Sequence, residues 1–176
     1  RNEAINSMKA YAVAPDMVSD MHLAIGKIAH TSGYSNVNDG GGAYYVIAAN
    51  AADSLAIKLN NGNYANYVIS HTMNVAQFPY ALDSNIYTLF MNSSATVLDL
   101  NGQTLTVPCT NGTPKTDKTI RNGSITVSNY LFSISYQDFK GSLTLENLDI
   151  QCSMSSAKIF TFSCPPNTDE FHVRNC

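Results

Sequence analysis

Carboxylate side chains are the groups in this sequence whose placement along short apolar segments suggests chemistry. Five lie in predicted strands or directly before one: Asp99, Glu146, Asp149, Asp169 and Glu170. Acid–base cleavage of a glycosidic bond needs two carboxyl groups roughly 5 to 9.5 Å apart, one of them with a raised pKa. Glu146 and Asp149, which flank Asn147, fit this description best. A solvated face on which Glu146 pairs with Arg174 is the simpler interpretation, so no catalytic residue is assigned.

Histidine and cysteine residues lack the spacing of metal sites or activated nucleophiles. They are scattered over the chain: His22, His30, His71, His172, Cys109, Cys152, Cys164 and Cys176. No C-x-x-C pair of a zinc site occurs, and no histidine has a cysteine or serine partner in a catalytic pattern. Reduced cysteine behaves as a small apolar residue, so the cysteines are interpreted as buried free thiols, with two disulfides as the alternative. No metal and no cofactor is expected.

Three consecutive glycines occupy positions 40–42. Their spacing fits neither G-x-G-x-x-G nor G-x-x-x-x-G-K-[ST], so a phosphate-binding loop is not supported. Glycine instead permits backbone angles closed to other residues, and the apolar run at 43–47 predicts a buried strand. A second predicted strand at 57–59 leads into Asn61-Gly62, a dipeptide typical of a hairpin turn. These signals together predict a small β module.

Composition excludes several classes of protein. The 176 residues include 19 Asn, 18 Ser and 14 Thr, whereas charged residues make up only 13%. Asn tolerates left-handed backbone and Thr favours strands, so short strands and tight turns are predicted rather than long helices. A net charge of −3 with scattered Lys and Arg argues against nucleic-acid binding. No apolar run approaches the roughly 18 residues of a membrane span, so membrane insertion is not expected.

The segment from Arg1 to about His30 has a weakly helical pattern that is ambiguous between helix and strand. Met17, Met21 and Ile25 recur at helical spacing, and Pro15 suits a first helical turn. Alternation over residues 21–28 instead favours a strand. The strand is the preferred interpretation.

From residue 95 onward the chain repeats itself. Four segments share a strand-like pattern that leads to an asparagine: 98–102, 118–122, 143–147 and 171–175. The last two are offset by 28 positions and the middle two by 25, and the first lies about 21 further back with a one-residue slip at its turn. Segments 131–134 and 159–162 are also offset by 28. Short strands at such a period predict a parallel solenoid in which each coil stacks on the previous one.

This repeat predicts which residues are neighbours in adjacent coils. Equivalent residues of adjacent parallel strands face each other at about 4.8 Å. The predicted neighbours are Leu143 with Phe171, Leu145 with Val173, Thr144 with His172, Glu146 with Arg174, Leu148 with Cys176 and Val127 with Cys152. The two columns that end in cysteine favour buried thiols. A structure with Glu146 and Arg174 on different faces would contradict this alignment.

Two domains are predicted, an N-terminal β module at 1–74 and the first coils of the solenoid at 75–176. A solenoid needs a cap, because a bare terminal coil exposes apolar core and unpaired strand edges. Residues 173–176 have no cap-like character, and Arg1 is not an initiator methionine. The natural chain is therefore expected to extend beyond the present one.

Residues 33–69 resemble a module found near the start of many phage tailspikes and capsule depolymerases. The segment from Gly33 to Ile47 matches G-Y-x-x-x-N-D-G-G-G-A-x-Y-x-I, and the segment from Ile57 to Ala65 matches I-x-L-x-N-G-x-Y-A. Relatives continue through a connecting strand, here 73–78, and a short capping helix, here Asp83 to Phe90. Between them this chain has PYALDS where the family commonly has a glycine-rich loop, so a shortened cap is expected.

The resemblance implies an all-β protein with a pectate-lyase-like, right-handed parallel β-helix. It also implies a homotrimer of the phage tail, made in the host cytoplasm, whose partners are other virion tail proteins and a bacterial surface polysaccharide. Many relatives cleave that polysaccharide by hydrolysis or elimination, but they place the catalytic groove further along the helix, so activity of this chain is left open. The alternatives are a non-enzymatic receptor-binding or structural virion fibre and a secreted β-helix lyase or adhesin.

The tyrosines of the N-terminal module are the remaining candidates for a binding face, because sugars stack on aromatic rings. They are Tyr34, Tyr44, Tyr45, Tyr64 and Tyr67. Alternating strands bury every second side chain, so packing in the core or in a subunit interface is the preferred interpretation.

Overall fold

A computed structural model describes residues 8–78, 84–107, 116–127, 130–135, 142–152, 158–163, 171–174 and 176. Strands dominate these residues, which confirms the all-β class. The chain divides into two compact units, one formed by the described residues within Arg1–Val68 and Ala76–Phe78, the other by those within Ile69–Val75 and Pro79–Cys176. The division expected from the sequence falls after residue 74, inside the first segment of the second unit.

The first unit is built on one five-stranded sheet and a short helix. Its elements are β1 (Lys9–Tyr11), α1 (Ala14–Ser19), β2 (Ile28–Thr31), β3 (Ala43–Ala48), β4 (Ile57–Lys58) and β5 (Tyr64–Tyr67). The strand order is β1-β2-β3-β5-β4, with β1 parallel to β2 and the other pairs antiparallel. The hairpin predicted at Asn61-Gly62 is confirmed, since β4 pairs with β5 and Gly62 has a φ of 91°.

Strand β3 is buried on one face only, so the prediction of a buried strand is correct for half of its side chains. Tyr45 and Ile47 are each 1% exposed and pack in the core with Met17 of α1. Tyr44 and Val46, on the opposite face, are 49% and 42% exposed. The alternation is the period of two that a strand with one solvated face shows.

The preferred strand at 21–28 is wrong, and the helical alternative is correct in part. Helix α1 has Pro15 in its first turn, where the missing N–H of proline costs nothing, and it ends at Ser19. Met21 and Ile25 then lie in turns and are more than half exposed. The left-handed Gly26, with φ 82°, directs the chain into β2, which begins at Ile28.

The second unit contains a stack of parallel strands. Its elements are β6 (Thr72–Asn74), α2 (Ser84–Asn92), β7 (Val97–Asp99), β8 (Thr104–Val107), β9 (Lys118–Val127), β10 (Tyr130–Ser135), β11 (Leu143–Cys152), β12 (Lys158–Ser163) and β13 (Phe171–Arg174). A 3-10 turn, Val75–Gln77, begins in this unit, and its last two residues belong to the first unit. One sheet has the order β13-β11-β9-β7-β6 with β8 also on β9, and the other consists of β10 and β12. Every one of these strand pairs is parallel.

The register of the stack confirms the offsets of 28 and 25. Strand β13 pairs with β11, and β12 with β10, at an offset of 28, whereas β11 pairs with β9 at 25. The earliest offset differs from the expected value of about 21. Strand β7 pairs with β9 at an offset of 22, and β8 pairs with β9 at an offset of 20. The turn between β7 and β8 is therefore two residues longer than the matching corner in β9, instead of the one-residue slip that was predicted.

An inward column of apolar side chains runs through the stack. Met73, Leu98, Ile120 and Leu145 are consecutive in register, and each is 0% exposed. Val173 continues the column in the register of β13. Burying an apolar side chain of this size contributes roughly 1.5 to 3 kcal/mol, so this column is a major source of the stability of the unit.

Helix α2 corresponds to the predicted capping helix and begins one residue later and ends two residues later than expected. Its buried residues Ile86, Tyr87, Phe90 and Met91 recur at spacings of three and four, which places them on one face. Within the described part of the chain, no helix is both long enough and apolar enough to span a bilayer.

Candidate functional site

A column of polar and charged side chains runs along the outward side of the stack. It consists of Asn74, Asp99, Arg121, Glu146 and Arg174, which lie in register on β6, β7, β9, β11 and β13. These residues directly follow the inward column, so they point to the opposite face of each strand. The predicted pairing of Glu146 with Arg174 is confirmed at the level of register.

Asp99 is the most highly connected member of this outward column. Its Oδ2 accepts hydrogen bonds from Arg121 Nε at 2.9 Å and from Asn122 Nδ2 at 3.0 Å, and its Oδ1 accepts one from the backbone N–H of Asn101 at 3.0 Å. The carboxyl side chain is 14% exposed and that of Arg121 is 39% exposed. The three bonds tie the long turn after β7 to the next strand in the stack.

The asparagine that recurs at the corner adopts left-handed backbone in every described case. The φ angles of Asn101, Asn122 and Asn147 are 49°, 61° and 53°, a region in which asparagine is enriched among non-glycine residues. Asn147 Nδ2 donates to Asn122 Oδ1 at 3.3 Å, whereas the Asn122 amide donates to Asp99 Oδ2 and not to Asn101. The expected next member, Asn175, lies outside the described residues.

The carboxylate pair considered for catalysis gains no support from its surroundings. Glu146 is half-buried and Asp149 is exposed, and Asp149 accepts a hydrogen bond from Gln151 Nε2 at 2.8 Å. Among the described residues no ion pair joins Glu146 to Arg174, although the two are adjacent in register. Among the described residues, the ion pair of this column lies two layers earlier, between Asp99 on β7 and Arg121 on β9.

A second outward surface follows the corner and displays hydroxyl and amide groups and one carboxylate. Its residues are Thr104 and Thr106 on β8, Ser124 and Thr126 on β9, and Asp149 and Gln151 on β11. They alternate with inward residues such as Leu105 and Ile125, both 0% exposed. Adjacent strands repeat these hydroxyl and amide groups at about 4.8 Å, which suits a ligand with many hydroxyl groups.

Lys118 is a residue whose importance the sequence did not reveal. It begins β9 in the register of Leu143, and it is 1% exposed. Its Nζ donates to the carbonyl oxygens of Phe90, Ser93 and Ala95, so it is bound to the end of α2. The signal that identifies it is its place in the column of Leu143 and Phe171, where the repeat leads one to expect an apolar side chain.

In the first unit the glycine-rich segment around residues 33–42 folds about one carboxylate. Asp39 accepts hydrogen bonds from four backbone N–H groups, those of Tyr34, Ser35, Asn36 and Gly41, at 2.8 to 3.0 Å. Burial opposes ionisation of the carboxyl, but the four bonds outweigh it and lower the pKa of Asp39 to about 2. Its role is to hold the loop, with no group left over for a ligand.

The crowding of that loop explains two of its glycines. A Cβ at Gly33 would lie 1.8 Å from the carbonyl oxygen of Asn36, and one at Gly41 would lie 2.5 Å from that of Ala76. Among the tyrosines of the module, Tyr45 packs in the core as expected, and the Tyr67 hydroxyl donates to Gln77 Oε1 at 2.7 Å. Tyr44 is exposed and stacks on the imidazole of His30, with ring centroids 4.5 Å apart.

Two of the four cysteines, Cys152 and Cys176, lie among the described residues. Cys152 is in register with Val127 as predicted, but Cys176 is an exposed free thiol, so its predicted burial is wrong. Among the described strands, none pairs with β13 on its other edge, which leaves Cys176 exposed. Cys109 and Cys164 lie outside the described residues. Within the described ranges, no group of three or more His, Cys, Asp or Glu side chains lies close enough to bind a metal ion.

Comparison with known proteins adds no further assignment. No protein-family model matches the chain. No curated protein is similar to it at a significant level.

Proposed function

We propose that this chain is the N-terminal part of a phage tailspike that attaches the virion to a bacterial surface polysaccharide. In this proposal the stack of parallel strands is the beginning of a right-handed parallel β-helix, and three copies assemble about its axis. The other partners are virion tail proteins, and the protein acts on the virion after synthesis in the host cytoplasm. Degradation of the polysaccharide belongs to the full-length protein.

The observation that carries the proposal is the in-register stacking of five parallel strands, with apolar residues in the inward column and polar residues in the outward columns. Stacking of this kind is what a solenoid requires, because each layer buries its apolar face on the next. Connections between parallel strands are right-handed in nearly all proteins, which favours the right-handed form. The glycine-rich sequence from Gly33 to Ile47 supports the tailspike family in particular.

The polar columns support binding to a glycan more than cleavage of one. Hydroxyl, amide and charged groups at fixed intervals suit a ligand with many hydroxyl groups, as a polysaccharide is. Glycan cleavage needs a pair of carboxyl groups in distinct environments, and Glu146 and Asp149 are both in contact with solvent. A non-enzymatic receptor-binding fibre is therefore the second candidate, and a secreted β-helix lyase or adhesin is the third.

Two measurements on the full-length protein separate these candidates. Light scattering is expected to give the mass of three chains, and a single-chain mass would exclude both virion proposals. Release of new reducing ends from host polysaccharide would identify a depolymerase. Binding to the same polysaccharide without release would identify the receptor-binding fibre.

A further inference from the structure

Lys118 occupies a position where a charge is costly. It is 1% exposed, and the residue in register with it on β11 is Leu143, which is 0% exposed. An ammonium group moved from water into apolar surroundings loses several kcal/mol unless its hydrogen bonds are replaced. The protein must therefore supply those bonds at this position.

The end of α2 supplies them. Lys118 Nζ lies 3.0 Å from the carbonyl oxygen of Phe90, 2.9 Å from that of Ser93 and 2.5 Å from that of Ala95. An ammonium has three N–H donors on a compact charge, so three carbonyls satisfy it completely. The aromatic ring of Phe90 adds a cation–π contact, with its centroid 4.8 Å from Nζ.

One of these carbonyl oxygens, that of Phe90, belongs to the last turn of α2, and those of Ser93 and Ala95 lie in the turn that follows the helix. The last carbonyls of a helix have no partner within the helix, and they form the negative end of its dipole. The chain also turns tightly after the helix, since the backbone N–H of Ser93 donates to the Phe90 carbonyl at 3.2 Å and that of Ala95 donates to Ser93 Oγ at 3.2 Å. This turn brings three carbonyl oxygens to one point.

Among the described residues, no carboxylate forms an ion pair with Lys118. Helix α2 contains no charged residue, and neither does the segment 93–96 that follows it. The nearest acid in sequence, Asp117, accepts hydrogen bonds from the backbone N–H and the hydroxyl of Ser142. Burial lowers the pKa of Lys118. Hydrogen bonds from an ammonium to carbonyl oxygens favour its charged form.

We propose that the carbonyl oxygens of Phe90, Ser93 and Ala95 form a binding site for a primary ammonium ion, and that the Lys118 side chain is its tethered occupant. Filling of this site, which we call the ammonium cradle, fixes α2 on the stack. The cradle accepts a free alkylammonium ion of suitable length when the tether is removed. This inference concerns the folded chain and does not depend on the proposed attachment to a polysaccharide.

The test uses the Lys118→Ala variant of the 176-residue chain. Truncation at Cβ removes three carbon atoms and the ammonium nitrogen. A propylammonium ion contains the same number of carbon and nitrogen atoms. The midpoint of thermal unfolding is expected to fall by roughly 5 to 10 °C, as for a loss of a few kcal/mol in a domain of this size. Propylammonium chloride at high millimolar concentration is expected to recover at least half of that fall.

Three controls separate the cradle from general effects. Tetramethylammonium chloride, which has a similar charge and no N–H donor, should recover nothing in Lys118→Ala. Propylammonium should have no comparable effect on the wild-type chain, where the cradle is occupied, or on Lys118→Met, whose side chain fills the space of the alkyl tether. Hydrogen exchange of the amides of α2 should quicken in Lys118→Ala and slow again when propylammonium is added.

Either of two results would overturn the inference. One is an unfolding midpoint of Lys118→Ala within about 1 °C of the wild type, which would mean that the three hydrogen bonds of Lys118 do not stabilise the fold. The other is equal stabilisation of Lys118→Ala by propylammonium and by tetramethylammonium. If Lys118→Ala does not fold without added ion, the same titration is followed by circular dichroism, and failure of propylammonium to restore the signal has the same meaning.

Discussion

Replacement of Asp99 by alanine should destabilise the chain far more than replacement of Glu146, although both carboxylates belong to the same outward column. Asp99 accepts three hydrogen bonds, two of them from Arg121 and Asn122 on the next strand, whereas Glu146 has no ion pair with its described neighbours. The comparison isolates the contacts of Asp99 from the general effect of removing a carboxylate from this surface.

The magnitude follows from burial. A fully exposed ion pair contributes at most about 1 kcal/mol, and breaking a fully buried one costs about 3 to 5 kcal/mol. The Asp99 side chain is 14% exposed and that of Arg121 is 39% exposed, which is intermediate. We expect Asp99→Ala to lower the free energy of unfolding by about 2 to 3 kcal/mol, and Glu146→Ala by less than about 0.5 kcal/mol.

The assay is urea unfolding at pH 7, followed by circular dichroism, with both single variants measured beside the wild type. A double-mutant cycle between Asp99→Ala and Arg121→Ala should give a coupling free energy of at least about 1 kcal/mol. Equal destabilisation by Asp99→Ala and Glu146→Ala, or a coupling near zero, would refute the view that Asp99 ties the long turn to the next strand.

Three further predictions concern other parts of the fold. Gly123→Ala should lower the free energy of unfolding by about 1 to 3 kcal/mol through overpacking, because a Cβ there would lie 2.6 Å from the Gln103 carbonyl oxygen. An unfolding midpoint equal to that of the wild type would contradict this crowding. Asp39 has a pKa of about 2 in the folded protein, below the roughly 3.9 of an unfolded chain, so its stabilisation is present above pH 4 and is lost as the pH falls toward 2. The free energy of unfolding of Asp39→Asn should therefore change less than that of the wild type when the pH is lowered from 4 to 2 in an acid titration. Asp39 is partly exposed, so solvent screening limits this difference to about 1 kcal/mol. Tyr45→Phe should leave stability unchanged or raise it by up to about 1 kcal/mol, as measured by thermal unfolding, because no group among the described residues forms a hydrogen bond of normal geometry with the buried Tyr45 hydroxyl.

Local repetition is the part of this fold that the sequence encodes most directly. Equivalent residues in parallel strands must face each other, so the offsets of 28 and 25 translate into the register of β9, β11 and β13. The turn at Asn101 was harder to predict, because two additional residues there change the offset from 22 to 20 without altering the apolar pattern on either side.

Two other differences between the sequence-based prediction and the structure have separate physical causes. Over residues 14 to 28 a short apolar pattern is compatible with either period, and the conformation was decided by Pro15 in the helix and Gly26 after it. Lys118 was overlooked because its environment is made by backbone carbonyls of residues 90–95, which no side-chain pattern reports. Sequence periodicity therefore identifies the columns of this stack but not the polar groups that close its turns.

Attachment to a bacterial surface polysaccharide is tested most directly by measuring the binding of the labelled full-length protein to whole cells. Paired bacterial strains that differ only in the presence of a surface polysaccharide provide the comparison. The proposal predicts saturable binding to the strain that carries the polysaccharide and loss of binding on its partner. Equal binding to both strains would contradict it.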